Sequence, residues 1–240
     1  MNLIDTHFHL DYYKNHKYMY DQINDLQQYT LCVTNSPEIY HSCRKLYSES
    51  KYVKFGLGYN PQHCLNCDFS AKTFLHEFSS TRYIGEVGLD YSKRFIRSKK
   101  KQLKAFEFIC QRSAEENKIL SIHSRLAEKD VLNILRKCGV SKAILHWYSG
   151  DLEIMHYLLE TGYYFSVNSS MCSTENGRKV ILNIPQNRLL IESDGPFSKI
   201  ESKKYTPLDL RGTYDLVGSV VGINNIASIV YQNFASLLSQ

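Results

Sequence analysis

Leu3-Ile4-Asp5-Thr6-His7-Phe8-His9 starts as a short apolar run and ends on ionisable side chains. In extended backbone, residues i and i+2 point to one face, so His7 and His9 converge on the same side. Two imidazoles meeting at a strand end suit a divalent metal. The same plan recurs along the chain. Tyr83-Ile84-Gly85-Glu86-Val87-Gly88-Leu89-Asp90, Leu120-Ser121-Ile122-His123-Ser124-Arg125, Ala143-Ile144-Leu145-His146-Trp147 and Leu190-Ile191-Glu192-Ser193-Asp194 each close a buried apolar run with His or carboxylate. A single buried histidine needs only a hydrogen-bond partner. Five such strand ends would leave many polar groups uncompensated unless a metal centre compensates them jointly.

Outward from these segments, β-branched or aromatic runs predict strands at 3–5, 29–34, 53–59, 83–87, 119–123, 142–147, 163–168 and 189–193. Amphipathic segments at 19–28, 38–49, 69–78, 99–116, 127–138 and 151–161 separate most of them, and a last helix is expected over 224–238. In the fourth segment Leu103, Phe106, Ile109 and Cys110 form one apolar stripe, with Lys, Glu and Gln opposite. Gly139 and Gly162 stand where helix C-caps are expected. Strand and helix alternating eight times implies α/β structure with a parallel sheet. A doubly wound open sheet alternates in the same way. Ionisable residues at one end of so many strands favour a (β/α)8 TIM barrel, whose sites lie on that rim. No linker or repeat divides the chain, so a single domain over 1–240 is expected.

The chain has 240 residues, 43% hydrophobic and 22% charged, which are ordinary globular proportions. No run approaches the ~18 apolar residues of a membrane span, so no membrane association is expected. The N-terminus carries no leader pattern, and the seven scattered cysteines read as reduced thiols in a cytoplasmic protein. Net charge is +5, unevenly placed. Lys93, Arg94, Arg97, Lys99, Lys100, Lys101 and Lys104 cluster together, with Lys199, Lys203 and Lys204 as a smaller group. Such clusters attract polyanions, although a basic run at a helix start is often plain solvated surface.

The segments DTHFHLD at 5–11, IGEVGLDY at 84–91, IHSR at 122–125, LHWYSG at 145–150 and ESDGPF at 192–197 together resemble the TatD family of metal-dependent deoxyribonucleases, an amidohydrolase-type metal barrel. The resemblance spans nearly the whole chain. It implies two divalent ions (Mg²⁺, Mn²⁺ or Zn²⁺), one held by His7, His9, Glu86 and Asp194 and one by Glu86, His123 and His146. Glu86 is then the shared carboxylate, while Arg125 and Glu192 support the ligands. Two departures concern substrate handling. The family's Gly-x-His-Pro-x-type run, with a second histidine, is here Gly58-Tyr59-Asn60-Pro61-Gln62, which places Asn60 and Gln62 where phosphate-contacting histidines are expected. The family's Arg-Asn-x-Pro is represented only by Lys204-Tyr205-Thr206-Pro207. The wording HWYSG at 146–150, with Asn176-Gly177-Arg178-Lys179, is most similar to TatD-like members of bacterial Qat antiphage operons.

The expected activity is hydrolysis of DNA phosphodiesters, a 3′→5′ exonuclease by resemblance, with partner proteins from a defence operon. Two metals can activate water and clamp the attacking and leaving oxygens, with Asp194 as general base and Glu86 as the second catalytic residue. Arg94, Arg97, Lys99 and Lys100, in the loop after the fourth strand, are expected to contact the phosphate backbone. Tyr91, Phe95, Tyr148, Phe197 and Tyr205 are candidates to stack bases. The alternatives are an amidohydrolase acting on a small molecule, and a barrel that binds nucleic acid or a partner with little catalysis. Cys64-Leu65-Asn66-Cys67 lacks a partner pair for zinc, and His16, His41, His76 and His156 read as surface or helix-packing residues.

Overall fold

The computed structural model describes residues 2–48, 50–200 and 203–240. The elements run β1 Ile4–Phe8, α1 His16–Asp25, β2 Tyr29–Val33, α2 Pro37–Leu46, β3 Val53–Gly56, α3 Ala71–Phe78 and β4 Tyr83–Asp90. There follow α4 Lys99–Glu115, β5 Ile119–Arg125, α5 Glu128–Cys138, β6 Ala143–His146, α6 Leu152–Glu160, β7 Tyr164–Val167, α7 Ser169–Cys172 and α8 Glu175–Asn183. The last elements are β8 Leu189–Ile191, the short pair β9 Lys199–Ile200 and β10 Lys203–Lys204, α9 Leu210–Val221 and α10 Ile226–Ser239. The chain divides into two compact units, one formed by 1–32, 48–54 and 164–240, the other by 33–47 and 55–163. The division runs through β2 and β3.

In the first unit, β1 pairs parallel with β2, Ile4 opposite Tyr29 and Asp5 opposite Thr30. β7 pairs parallel with β8, Phe165 opposite Leu189, and Phe8 bridges Gly195. β1, β7 and β8 are short and buried along their whole length, and β7 and β8 accordingly read as near-continuous apolar runs. Tyr214 from α9 bonds the backbone of Ile4 as donor and acceptor, and Asn233 from α10 donates to the carbonyls of Gln186 and Leu189. The helices that follow β8 thus lock onto β1 and β8.

In the second unit, β4, β5 and β6 are parallel neighbours, with Tyr83 opposite Ile119, Asp90 opposite Arg125 and Leu120 opposite Ala143. The close approach of β4 to β5 requires glycine. Gly88 has φ +138, and a Cβ there would lie 2.0 Å from the His123 carbonyl oxygen. α5 ends on Gly139 in the left-handed region, as the sequence leads one to expect.

Several expected bounds change, among them β1, which runs Ile4–Phe8 rather than 3–5, and β3, which ends at Gly56 rather than 59. β4 extends to Asp90 rather than stopping at 87, because Gly88, Leu89 and Asp90 continue the ladder with β5 opposite His123, Ser124 and Arg125. In α4 the buried face includes Gln102 while Leu103 is only half-buried. The reason is that the Gln102 amide satisfies backbone groups that would otherwise be stranded. Helices α8 and α9 fill regions to which the periodicity gave no element.

Candidate metal centres

The first unit brings together His7, His9 and Asp194. Alternation along β1 directs His7 toward the side from which His9 emerges just past the strand end, while Phe8 turns away and stacks on Tyr13 at 5.2 Å. His7 Nε2 lies 3.2 Å from His9 Nε2, and Asp194 Oδ1 lies 3.4 Å from His9 Nε2 and 3.8 Å from His7 Nε2. Donor atoms ~2.0–2.2 Å from one cation and 90–110° apart stand about 2.8–3.6 Å from each other; the two edges that meet at His9 fall in this range, and the His7–Asp194 edge lies just above it. Asp194 Oδ1 is buried and accepts no hydrogen bond among the described residues, an acceptor for which a cation would compensate. Asp5 holds the frame. Its Oδ1 accepts from the backbone N–H groups of Ser193 (2.8 Å) and His7 (3.2 Å), and its Oδ2 accepts from Ser193 Oγ (2.5 Å). Burial pushes the Asp5 carboxyl up to about 7, against the opposing pull of the Ser193 and His7 donors. The Asp194 N–H then donates to the His7 carbonyl at 2.8 Å, which fixes one ligand to another through backbone. Glu192 is fully buried and accepts from Asn168 Nδ2 at 3.1 Å and from Ser166 Oγ.

The second unit brings together Glu86, His123 and His146, from β4, β5 and β6. Glu86 Oε1 lies 2.9 Å from His123 Nδ1 and 3.1 Å from His146 Nε2. The ligating atoms of all three are mutually within 4.8 Å. Burial would raise the Glu86 carboxyl, but the two imidazoles outweigh it and hold it well below the usual carboxylate range. Asp90, one strand turn further on, takes the other nitrogen of His123: Nε2 stands 3.1 Å from Asp90 Oδ2. Burial of His123 favours its neutral form, yet Asp90 and then Glu86 raise its pKa above the ordinary value. A carboxylate behind an imidazole sets which nitrogen faces a cation and raises its basicity. Asn60 and Gln62 complete the arrangement. Asn60 Nδ2 donates to Glu86 Oε2 at 2.5 Å, and Gln62 Nε2 donates to Asp90 Oδ2 at 3.0 Å.

Compared with known proteins, residues 4–239 match the family described as TatD related DNase. The chain belongs to the TatD family. TatD relatives include an uncharacterised metal-dependent hydrolase of Escherichia coli (strain K12), YcfH, 29% identical over 99% of this chain and 96% of its own. Another is the human deoxyribonuclease TATDN3, 27% identical over 64% of this chain and 58% of its own. Among solved structures, a TatD-family hydrolase of Entamoeba histolytica matches with a TM-score of 0.81, 17% identity, and coverage of 99% of this chain and 98% of that one. The Escherichia coli TatD homologue YJJV matches at 0.78 and 18% identity, covering 98% and 97%. The expected fold class therefore stands: parallel sheets with helices, in the TIM-barrel-like α/β fold of TatD structures. The chain is a metal-dependent hydrolase of this family, with clusters of His, Asp and Glu that fit metal binding.

Elsewhere in this TatD chain, Lys93, Arg94, Arg97 and Lys100 are exposed. Lys99 is already engaged, 3.0 Å from Asp130 Oδ2 and 4.2 Å above the Tyr91 ring. Lys101 pairs with Asp68 at 2.7 Å, and Arg125 is exposed at the end of β5. Two proposed stacking residues are corrected. Tyr148 and Tyr205 are both 1% exposed and have no face to offer a base, because their rings are spent on packing. Phe197 is 49% exposed, and Tyr12, which no motif singled out, is 45% exposed beside it. The residues missed by sequence reasoning are Asp5, Asp90 and Gln102. The first two lie inside the motifs already quoted, and their signal was a carboxylate two or four residues from a ligand. Lys203 of the smaller basic group has its side chain outside the described residues. Among the described residues, no helix is long and apolar enough to cross a membrane.

Proposed function

We propose that this protein hydrolyses DNA phosphodiester bonds, as a 3′→5′ exonuclease, with two divalent cations drawn from Mg²⁺, Mn²⁺ and Zn²⁺. The observation carrying this reading is the pair of carboxylate–imidazole clusters, each with donor atoms at the spacing of ligands on one cation. One cation is assigned to His7, His9 and Asp194, the other to Glu86, His123 and His146. The family resemblance supports Glu86 as a carboxylate shared by both. When bound, such cations lower the pKa of water and neutralise charge on phosphoryl oxygens.

The remaining chemistry belongs to side chains. Asp194, a carboxylate at the first cluster, is the proposed proton acceptor for the attacking water. Asn60 and Gln62 each spend one amide N–H on a carboxylate and retain a second, which can donate to a phosphate oxygen. Arg94, Arg97 and Lys100 supply exposed positive charge for a backbone that carries no sequence information. Lys99 contributes less, because Asp130 already holds it. Proteins named deoxyribonuclease among the relatives support DNA as substrate. The segments HWYSG and Asn176–Lys179 support action beside partner proteins in an antiphage operon.

Single- and double-stranded DNA labelled at the 3′ or 5′ end, together with RNA and a panel of small amides, tests the reading. Stepwise shortening of DNA from its 3′ end is expected. Turnover confined to the amides would overturn it.

A further inference from the structure

Two aromatic rings stand over the first metal cluster, and each is tied by backbone to a ligand. Tyr12 lies three residues after His9, and its N–H donates to the His9 carbonyl at 3.2 Å. Phe197 lies three residues after Asp194, and its N–H donates to the Asp194 carbonyl at 2.7 Å. Both turns are therefore launched from proposed ligands and carry their rings to the same place. The Tyr12 and Phe197 rings meet edge to face, with centroids 4.9 Å apart and planes at 69°. Each also meets the His9 ring edge-on, at 5.5 Å for Tyr12 and 5.2 Å for Phe197. The trio lies wholly within the first unit.

Burial separates this pair from packing aromatics. The rings of Phe8, Tyr13 and Tyr205 around the same loop are 1–4% exposed. Tyr12 at 45% and Phe197 at 49% keep about half their surface open to water, at the position nearest a ligand imidazole. Large rings held rigidly by short turns lose little freedom on binding, and every nucleobase offers a π-face to such a platform. A phosphodiester at the His9–Asp194 cluster places the base of the adjoining nucleotide one sugar away, within reach of rings about 5 Å from His9.

We propose that Tyr12 and Phe197 form a platform that stacks the nucleobase next to the scissile phosphate, which makes the enzyme demand a base at that position without reading its identity. The inference rests on the phosphodiesterase reading above. It separates nucleotide chains from other phosphodiesters, which the metal clusters do not do.

The test compares a short DNA single strand bearing bases throughout with the same strand carrying abasic residues at both ends. Binding and cleavage are both measured for wild type, Tyr12→Ala, Phe197→Ala and Phe197→Trp. Wild type should prefer the strand with bases by about 5- to 150-fold, the range that one base–aromatic stack supplies. In Phe197→Ala and Tyr12→Ala the ratio should collapse toward one, while Phe197→Trp, which keeps an aromatic face, should retain it. Rings that merely brace His9 would lower both rates together and leave the ratio intact, and that result would overturn the platform. Cleavage by wild type with no preference for bases overturns the platform alone. Base-dependent binding without cleavage upholds the platform and overturns the phosphodiesterase reading instead.

Discussion

Asp90 Oδ2 receives both His123 Nε2 and Gln62 Nε2, and this shared acceptor decides which imidazole nitrogen faces Glu86. Its own carboxyl is held below the usual range: burial opposes this, but His123, Ser92 and Gln62 prevail. Asp90→Asn keeps the shape and removes the charge. Affinity for a cation at the Glu86–His123–His146 cluster should fall by about 10–100-fold, as for other partners behind metal-binding histidines. Isothermal titration with Zn²⁺ or Mn²⁺ checks this, and an unchanged affinity would mean that Asp90 is merely structural. The same groups fix a pH dependence. Glu86 and Asp90 are depressed, so their contribution to the stability of the cation-free protein is present above about pH 4 and is lost as pH falls through their lowered values. His123 is raised, so its contribution is complete below about pH 6.5 and is lost as pH rises through its raised value. The joint contribution of Glu86, Asp90 and His123 to the stability of the cation-free protein should therefore be greatest between about pH 4 and 6.5, whereas cation affinity should climb with pH above that window as His123 gives up its proton. Melting curves with and without a chelator, taken across pH, check both signs.

At the scale of elements, the β4–β5 contact is where glycine matters most. Gly88→Ala meets both a disfavoured φ of +138 and a carbonyl oxygen 2.0 Å away, on the proposed ligand His123. The backbone strain alone costs about 1–3 kcal/mol, and relief by shifting β5 would displace His123. Gly139→Ala shares the positive φ, but nothing lies within 4 Å. It should cost about 1–2 kcal/mol in denaturant unfolding and leave cation affinity intact. Equal cation affinity in the two variants would contradict this account of β4. The strands that carry the site were legible in sequence because they are buried runs closed by an ionisable residue, as in Ile84–Asp90 and Leu120–Arg125. Gln102 was not legible. Its amide accepts from the Asp90 N–H at 2.8 Å and donates to the carbonyls of Asp90 and Phe95, so a polar residue occupies a buried helix face for reasons set by tertiary structure. Tyr148 and Tyr205 misled for the opposite reason. A loop position suggests exposure, yet Tyr148 turns inward to donate to the Asp151 carbonyl and Tyr205 lies against Phe8. Asn60 and Gln62 look in sequence like substrate groups that have lost their histidines, and only coordinates reveal that their amides face carboxylates.

For the whole molecule, charge and metal chemistry make separate demands. Neutralising Arg94, Arg97 and Lys100 should flatten the slope of log K against log salt for single-stranded DNA by ~0.7 per lost phosphate contact, with similar losses on unrelated sequences. Lys99→Gln should change the slope less, since Asp130 and Tyr91 already hold that ammonium. Parallel slopes for wild type and the triple variant, in titrations at several salt concentrations, would return the segment to ordinary solvated surface. The two carboxylate–imidazole clusters are proposed to carry metal-dependent phosphodiester hydrolysis. Its most direct measurement is turnover of end-labelled single-stranded DNA by chelator-stripped protein, before and after addition of Mg²⁺, Mn²⁺ or Zn²⁺, for wild type and for Glu86→Ala shown to be folded by its circular dichroism. Stripped protein should show no turnover, wild type should recover it with a cation, and Glu86→Ala should show none under any condition. Turnover by the stripped protein, or full activity in folded Glu86→Ala, would contradict the assignment of hydrolysis to these clusters.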